Sequence, residues 1–228
     1  MNLQQVEKPV NEFSLDVVED PWWTIQGEGP FAGRPSVFVR LAGCNLQCPN
    51  CDTDYTSTRK KMSPAELVHL IQTTIPLTVF RPPLIVLTGG EPFRQNLLPL
   101  FTMLDKRGYE VQVETNGTLA PAGGLNHLPV HIVCSPKAGA VNPYLRPHIQ
   151  DLKYVLSADA IDPGDGLPTS VLGNKVSPAR PWPGFSGEIW VQPEDSYNIV
   201  DNTDACRDVA MKFGYRMTVQ VHKLIGVK

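Results

Sequence analysis

The sequence predicts an α/β fold: a single domain over residues 1–228, an incomplete TIM-like βα barrel with reduced helices in its second half. Three observations carry this expectation. Strand-like apolar runs alternate with helix signals through the first half, the pattern of a parallel sheet with crossovers. The polar, glycine-bearing motifs fall at the C-terminal ends of those runs, the rim that carries active sites in barrel-like folds. Helix signals then thin out, which argues against a closed eight-fold barrel.

Taken in order, Ser36–Leu41 reads as a strand ending at Gly43. Ser63-Pro64-Ala65-Glu66 opens a helix, with a capping box and proline at the first helical position, and Leu67, Leu70 and Ile71 share one face. Leu84–Leu87 is a continuous apolar run and reads as a buried strand ending at Thr88-Gly89-Gly90-Glu91-Pro92. A helix from about Asn96 to Lys106 follows, with Pro99 in its first turn. Glu110–Glu114 is the next strand and runs into Thr115-Asn116-Gly117. The stretch from Pro121 to Pro129 holds two prolines and two glycines, too broken for a crossover helix. His131–Cys134, Asp151–Leu156 and Glu188–Val191 read as strands, Thr203–Phe213 as a helix, and Met217–Val221 as a last strand. Residues 157–187 form a Pro/Gly-rich ordered loop for which Trp182 and Phe185 are the anchors, and residues 1–20 form an N-terminal extension.

Composition narrows the function classes. With 42% apolar residues the chain can bury a real core. A formal charge of -3 gives no electrostatic case for gripping nucleic acid or an acidic membrane. No apolar run approaches the ~20 residues needed to cross a bilayer, and Met1–Asp20 lacks the apolar centre of a signal peptide. Five cysteines, three of them clustered, fit a reducing, cytoplasmic setting better than a disulfide framework.

The clustered cysteines, Cys44, Cys48 and Cys51, supply three soft ligands from one short loop and no fourth. A structural zinc site wants four protein ligands, as does a cubane held by cysteine alone. Three thiolates on a four-iron cluster leave one iron open to a small molecule. The rival is a zinc knuckle completed by a histidine, Cys134 or Cys206; the last two sit in an apolar strand and a helix and read as buried small residues. Gly89-Gly90-Glu91-Pro92 reads either as a tight strand–helix turn or as backbone opened for close approach to a ligand.

The cysteine loop and the strand-end Gly-Gly-Glu together resemble the radical S-adenosylmethionine superfamily. Within it, Ile25-Gln26-Gly27-Glu28-Gly29, Arg40, Cys51-Asp52-Thr53, Thr88–Pro92, Glu114–Gly117, Ser135-Pro136-Lys137, Gln192-Pro193 and His222-Lys223-Leu224-Ile225-Gly226 resemble the 7-carboxy-7-deazaguanine synthase family, from about Thr24 to the C-terminus. That resemblance implies a lyase that converts 6-carboxy-5,6,7,8-tetrahydropterin to 7-carboxy-7-deazaguanine with release of ammonia, in 7-deazapurine (queuosine-type) biosynthesis. It implies a [4Fe-4S] cluster on Cys44, Cys48 and Cys51 and S-adenosylmethionine on the open iron, where one electron yields a 5′-deoxyadenosyl radical. It assigns cofactor contacts to Asn50, Asp52, Gly90, Ser135, Pro136, Lys137, Gln192, Pro193, Glu194 and Asp195. Substrate contacts fall on Ile25, Gln26, Gly27, Arg40 and Thr88, and Thr53 corresponds to a Mg²⁺ ligand. Arg40 suits a carboxylate, which guanidinium meets with two parallel hydrogen bonds. A small-molecule pterin substrate, a reductase- or flavodoxin-type electron donor and a homodimer complete what the resemblance implies.

Read without the family, Thr53 is a loop cap, Lys137 is equally a solvated lysine, and His222 faces either core or substrate. Two other function classes share the cysteines: an activating enzyme that installs a glycyl radical on a partner, and a zinc-binding interaction module. The first has no use for Gln26-Gly27-Glu28-Gly29. The second predicts bound zinc and no iron or sulfide.

Overall fold

The first four residues of the strand Leu84–Gly89 are apolar and fully shut off from solvent, and a strand buried on both faces belongs in the middle of a parallel sheet. The computed structural model, which describes residues 2–125 and 128–228, puts it there. The strands are β1 (Leu15–Val17), β2 (Trp22–Ile25), β3 (Pro35–Leu41), β4 (Lys60–Met62), β5 (Leu84–Gly89), β6 (Glu110–Thr115), β7 (Val130–Cys134), β8 (Ile149–Leu156), β9 (Glu188–Pro193) and β10 (Arg216–Met217). They form one open ten-stranded sheet in the order β10-β9-β8-β7-β6-β5-β3-β1-β4, with β2 also paired to β3. From β3 to β10 every neighbouring pair is parallel, whereas β1 and β2 join β3 antiparallel.

From β5 to β10 neighbours in sequence are neighbours in the sheet, and each parallel step, that from β3 to β5 included, needs a crossover. Between β4 and β5 it is α1 (Pro64–Thr74), whose capping box is complete: Glu66 N donates to Ser63 Oγ, and Ser63 N donates to Glu66 at 2.7 Å. Its buried face is Leu67, Val68 and Ile71, so Val68 takes the place expected for Leu70. Between β5 and β6 it is α2 (Leu98–Asp105), with Pro99 in the first turn as expected. Two later connections, β6 to β7 and β8 to β9, show no helix among their described residues, as the sequence indicates. Residues 116–129 hold no helix over their described part, Asn126 and His127 lying outside the described residues, and 157–187 hold neither helix nor strand. That last segment is nonetheless pinned: Leu167 and Val171 are buried, and Trp182 packs edge-on against Phe185 with ring centroids 5.0 Å apart.

Three expectations change. The C-terminal strand is only Arg216–Met217: Thr218 N makes a last bond to Val191 O of β9 at 3.0 Å, and its hydroxyl accepts from Gly29 N at 2.9 Å, which draws the chain after it away from the sheet. Val221 N then donates to Gly27 O, and the chain closes in α4 (Val221–Leu224), a short helix where a strand was expected to end. The helix expected over Thr203–Phe213 is α3 (Ile199–Phe213), which starts four residues earlier and ends at Gly214 in the left-handed conformation. The N-terminal extension is no appendage: Leu15 and Val17 on β1 are fully buried in the main core.

Candidate active site

Because β3 and β5 through β9 run parallel, their C-terminal ends open on one side, and a cavity of about 1120 Å³ lies there. That exceeds the space a single drug-sized ligand needs. Every residue assigned from the sequence to the cluster, cofactor, substrate or Mg²⁺ lines it except Pro136, which is buried, and Gly27, which sits behind it.

One wall is the loop after β3. Gly43 N donates to Tyr55 O at 2.9 Å, closing a loop that carries Cys44, Cys48 and Cys51 to the cavity. Val18, Ala42, Cys44 and Tyr55 pack together behind it, with Leu46 and Cys51 against them. Burial pushes the Cys44 thiol up to about 12, and burial likewise raises Cys51, so a bound cation is what would hold these groups as thiolates. Among the described residues no group of three His, Cys, Asp or Glu side chains is disposed to hold a single metal ion. A cubane spreads its thiolates over different irons, so this donor set fits a cluster better than zinc. Neither Cys134 nor Cys206 lines the cavity, and both are fully buried, so neither completes a knuckle.

The floor beside the loop comes from the end of β5. A Cβ built on Gly90 would stand 2.2 Å from Gly43 O and 2.9 Å from Cys44 Cβ, so only glycine lets the two segments touch. Glu91, fully buried, accepts from Thr115 Oγ1 (2.7 Å), Asn116 N (2.8 Å) and Phe93 N (3.0 Å), tying the end of β5 to the end of β6. Burial lifts its carboxyl to about 7 against the pull of those donors. Lys137 donates to Ser135 Oγ at 2.5 Å, and burial lowers its pKa. Gln192 Oε1, on a residue that also lines the cavity, is a buried acceptor with no partner among the described residues, and it suits a ligand hydroxyl or amine. Glu194 and Asp195 follow it on the wall, Asp195 paired with Lys223.

Another part of the lining is polar and comes from β3, β5, β6, β8 and the turn after β2. Gln26 Nε2 donates to Gln112 Oε1 and to Glu114 Oε1, both at 3.1 Å, and Thr88 Oγ1 donates to Glu114 Oε2 at 3.0 Å. Arg40 donates to Thr53 Oγ1 at 3.2 Å, and Thr53 Oγ1 donates to Asp52 Oδ1 at 3.1 Å. Arg40 is half-buried over the Trp22 ring and meets a carboxylate, Glu19, at 3.7 Å.

Sequence reasoning assigned no contact to Glu28, Glu114, Lys153 or Gln220 and left His222 between core and substrate; all five line the cavity. Glu28 and Lys153 form a buried ion pair, and Gln220 Nε2 donates to Glu28 Oε1 at 2.7 Å. The readable signal was a lysine inside the apolar run Asp151–Leu156. The His222 ring fills the space a Cβ on Gly27 would take, so this glycine lets the C-terminal segment close on the cavity.

A family model described as a 4Fe-4S single cluster domain matches residues 25–119, the segment from β2 to just past β6. The 7-carboxy-7-deazaguanine synthase of Rhodospirillum rubrum is 44% identical over 225 residues, covering 92% of each chain. That of Aquifex aeolicus is 38% identical, covering 94% of this chain and 95% of its own. Among solved structures, QueE from Escherichia coli shares the fold, with a TM-score of 0.68 at 22% identity over 92% of this chain and 95% of that one. The chain belongs to the 7-carboxy-7-deazaguanine synthase family.

Proposed function

We infer that the protein is a radical S-adenosylmethionine lyase that converts 6-carboxy-5,6,7,8-tetrahydropterin to 7-carboxy-7-deazaguanine and ammonia. The observation that carries this reading is one large cavity lined both by the thiol loop and by a network of Gln26, Thr88 and Glu114. Cys44, Cys48 and Cys51 would hold the cluster, and Asn50, Asp52, Gly90, Ser135, Lys137 and Gln192–Asp195 surround the space for S-adenosylmethionine. Cluster and S-adenosylmethionine together supply the one-electron chemistry that activates the substrate.

The chain's own residues do the rest. Glu114, held by Gln26 and Thr88, keeps its carboxylate turned to the cavity, where it can accept from the N–H groups of a pterin ring. Arg40 offers its guanidinium to the substrate carboxylate. Thr53, with Asp52 beside it, offers oxygen donors to Mg²⁺, whose shell water and substrate complete. Ile25 gives the ring an apolar contact, while Gly27 supports the site from behind through His222. The same reading includes a cytoplasmic homodimer served by a reductase- or flavodoxin-type donor; no described helix is long and apolar enough to cross a membrane. It takes the progressive parallel order β3 to β10 as an incomplete barrel.

Anaerobic reconstitution followed by reductant, S-adenosylmethionine and the carboxytetrahydropterin tests it. Product at 7-carboxy-7-deazaguanine's mass supports the reading. Intact cluster and bound cofactor without that product refute the substrate assignment.

A further inference from the structure

Residues 2–7, ahead of β1, make polar contacts with the cysteine loop. Asn2 N donates to Pro49 O at 2.8 Å, and Asn2 Nδ2 donates to Cys48 O at 3.1 Å and to Tyr55 Oη at 3.3 Å. Gln4 reaches the other limb of the loop: its Nε2 donates to Thr53 O at 2.8 Å, while its Oε1 accepts from Tyr55 N at 2.6 Å and Thr56 Oγ1 at 3.2 Å. Gln47 Nε2 donates back to Gln4 O at 2.8 Å. Val6 bridges to Cys44, and Glu7 N donates to Cys44 O at 2.8 Å. The arm therefore holds Cys44 and Cys48 directly, through their carbonyls, and Cys51 at one remove, through Thr53 O, which the Cys51 Sγ meets at 3.7 Å.

The arm is anchored behind the loop rather than on it. Val10 N donates to Arg94 O at 2.7 Å, and Arg94, 2% exposed, reaches Lys8 O at 3.3 Å and Glu7 at 3.2 Å. It is not held by apolar burial, since Leu3 is 83% and Val6 56% exposed. An arm that buries almost no hydrophobic surface yet bonds the carbonyls of Cys44, Cys48, Pro49 and Thr53 contributes order to that loop, not mass to the core.

We propose that residues 2–10 form a bracket on the cysteine loop, with Asn2 and Gln4 as positioning residues that fix the three thiols and slow loss of the cluster. Contacts of this kind outside the ligand set orient the ligands themselves. The proposal rests on the reading of Cys44, Cys48 and Cys51 as cluster ligands, but the bracket itself is measurable without metal.

The test compares Asn2→Ala, Gln4→Ala, the double variant, Gln4→Glu and the exposed control Leu3→Ala. Amide hydrogen exchange at residues 44–56 of the metal-free chain is read first, then anaerobic iron release from the reconstituted protein to a ferrous chelator. Losing the Gln4 contacts should speed exchange at Tyr55 about fivefold, the factor of one ordinary hydrogen bond. The double variant should spread that increase through the loop and release iron faster by a similar factor, with the urea midpoint unmoved. Gln4→Glu keeps the acceptor for Tyr55 N and loses the donor to Thr53 O, so it should restore Tyr55 protection while iron release stays fast. Leu3→Ala should match the parent throughout. Unchanged exchange over 44–56 in the double variant, or an increase shared equally by the sheet strands, overturns the bracket. A parent chain that takes up no iron overturns the cluster reading instead, whatever the exchange shows.

Discussion

Lys153→Met should destabilise the protein, and by an amount that depends on pH in a stated direction. Lys153 on β8 and Glu28 are buried together, with side chains 8% and 16% exposed. Burial alone would push the lysine down and the glutamate up. Their mutual attraction outweighs it, so the Lys153 ammonium, helped by Glu114, is held above its ordinary range, and Glu28, helped by Gln220 and His222, well below the usual carboxylate range. The sign follows for each group. The contribution of the depressed Glu28 is present above its unfolded value of 4.5 and is lost only in acid; that of the raised Lys153 is present below 10.5 and is lost only in strong base. The pair's contribution is therefore level across neutral pH. Removing one partner of a buried pair costs about 3–5 kcal/mol, because the other charge stays buried and unpaired. In Lys153→Met, burial raises the Glu28 carboxyl, the folded chain binds the proton more tightly than the unfolded one, and stability falls as pH rises. Urea unfolding of the metal-free chain at about pH 5 and about pH 8 should show a deficit larger at the higher pH by at least about 1.4 kcal/mol. Adding Glu28→Gln removes the orphaned charge and keeps an oxygen for Gln220, so the double variant should regain most of the loss. An equal deficit at the two pH values, or a double variant less stable than Lys153→Met, would refute the argument.

Gly90→Ala places a methyl 2.2 Å from Gly43 O; overpacking of this kind costs about 1–3 kcal/mol, and the cysteine loop must move, so iron uptake on reconstitution should fall while the far-ultraviolet dichroism of the sheet persists. Asn174 Nδ2 donates to Cys48 Sγ at 3.2 Å, and hydrogen bonds to the sulfurs help set a cluster's potential. Asn174→Leu should make the cluster's reduction potential more negative in an anaerobic redox titration, and no change would mean that this contact is absent from the loaded protein. Thr53→Ala should weaken the Mg²⁺ dependence of turnover; an unchanged dependence would leave Thr53 as a partner of Arg40 and Asp52 only.

The sequence by itself determined the parallel strands, the first two crossover helices and the rim of motifs, because each rests on local physics. A continuous apolar run such as Leu84–Leu87 has one stable place, and Ser63 with Glu66 closes a capping box whatever surrounds it. The cysteine spacing is equally local, and so was legible. What only the tertiary structure decided are the contacts between residues far apart in the chain. Lys153 meets Glu28 across 125 positions, and Gln220 reaches the same carboxylate across 192. Asn174 arrives at Cys48 from a loop without regular structure, and Asn2 and Gln4 reach the cysteine loop from an arm with no periodicity to betray it. The last strand was misread for the same reason. Met217–Val221 has strand composition, but after Thr218 N donates to Val191 O on β9 the Thr218 hydroxyl is taken by Gly29 N and Val221 N donates to Gly27 O, and no local pattern encodes a partner about 190 residues away.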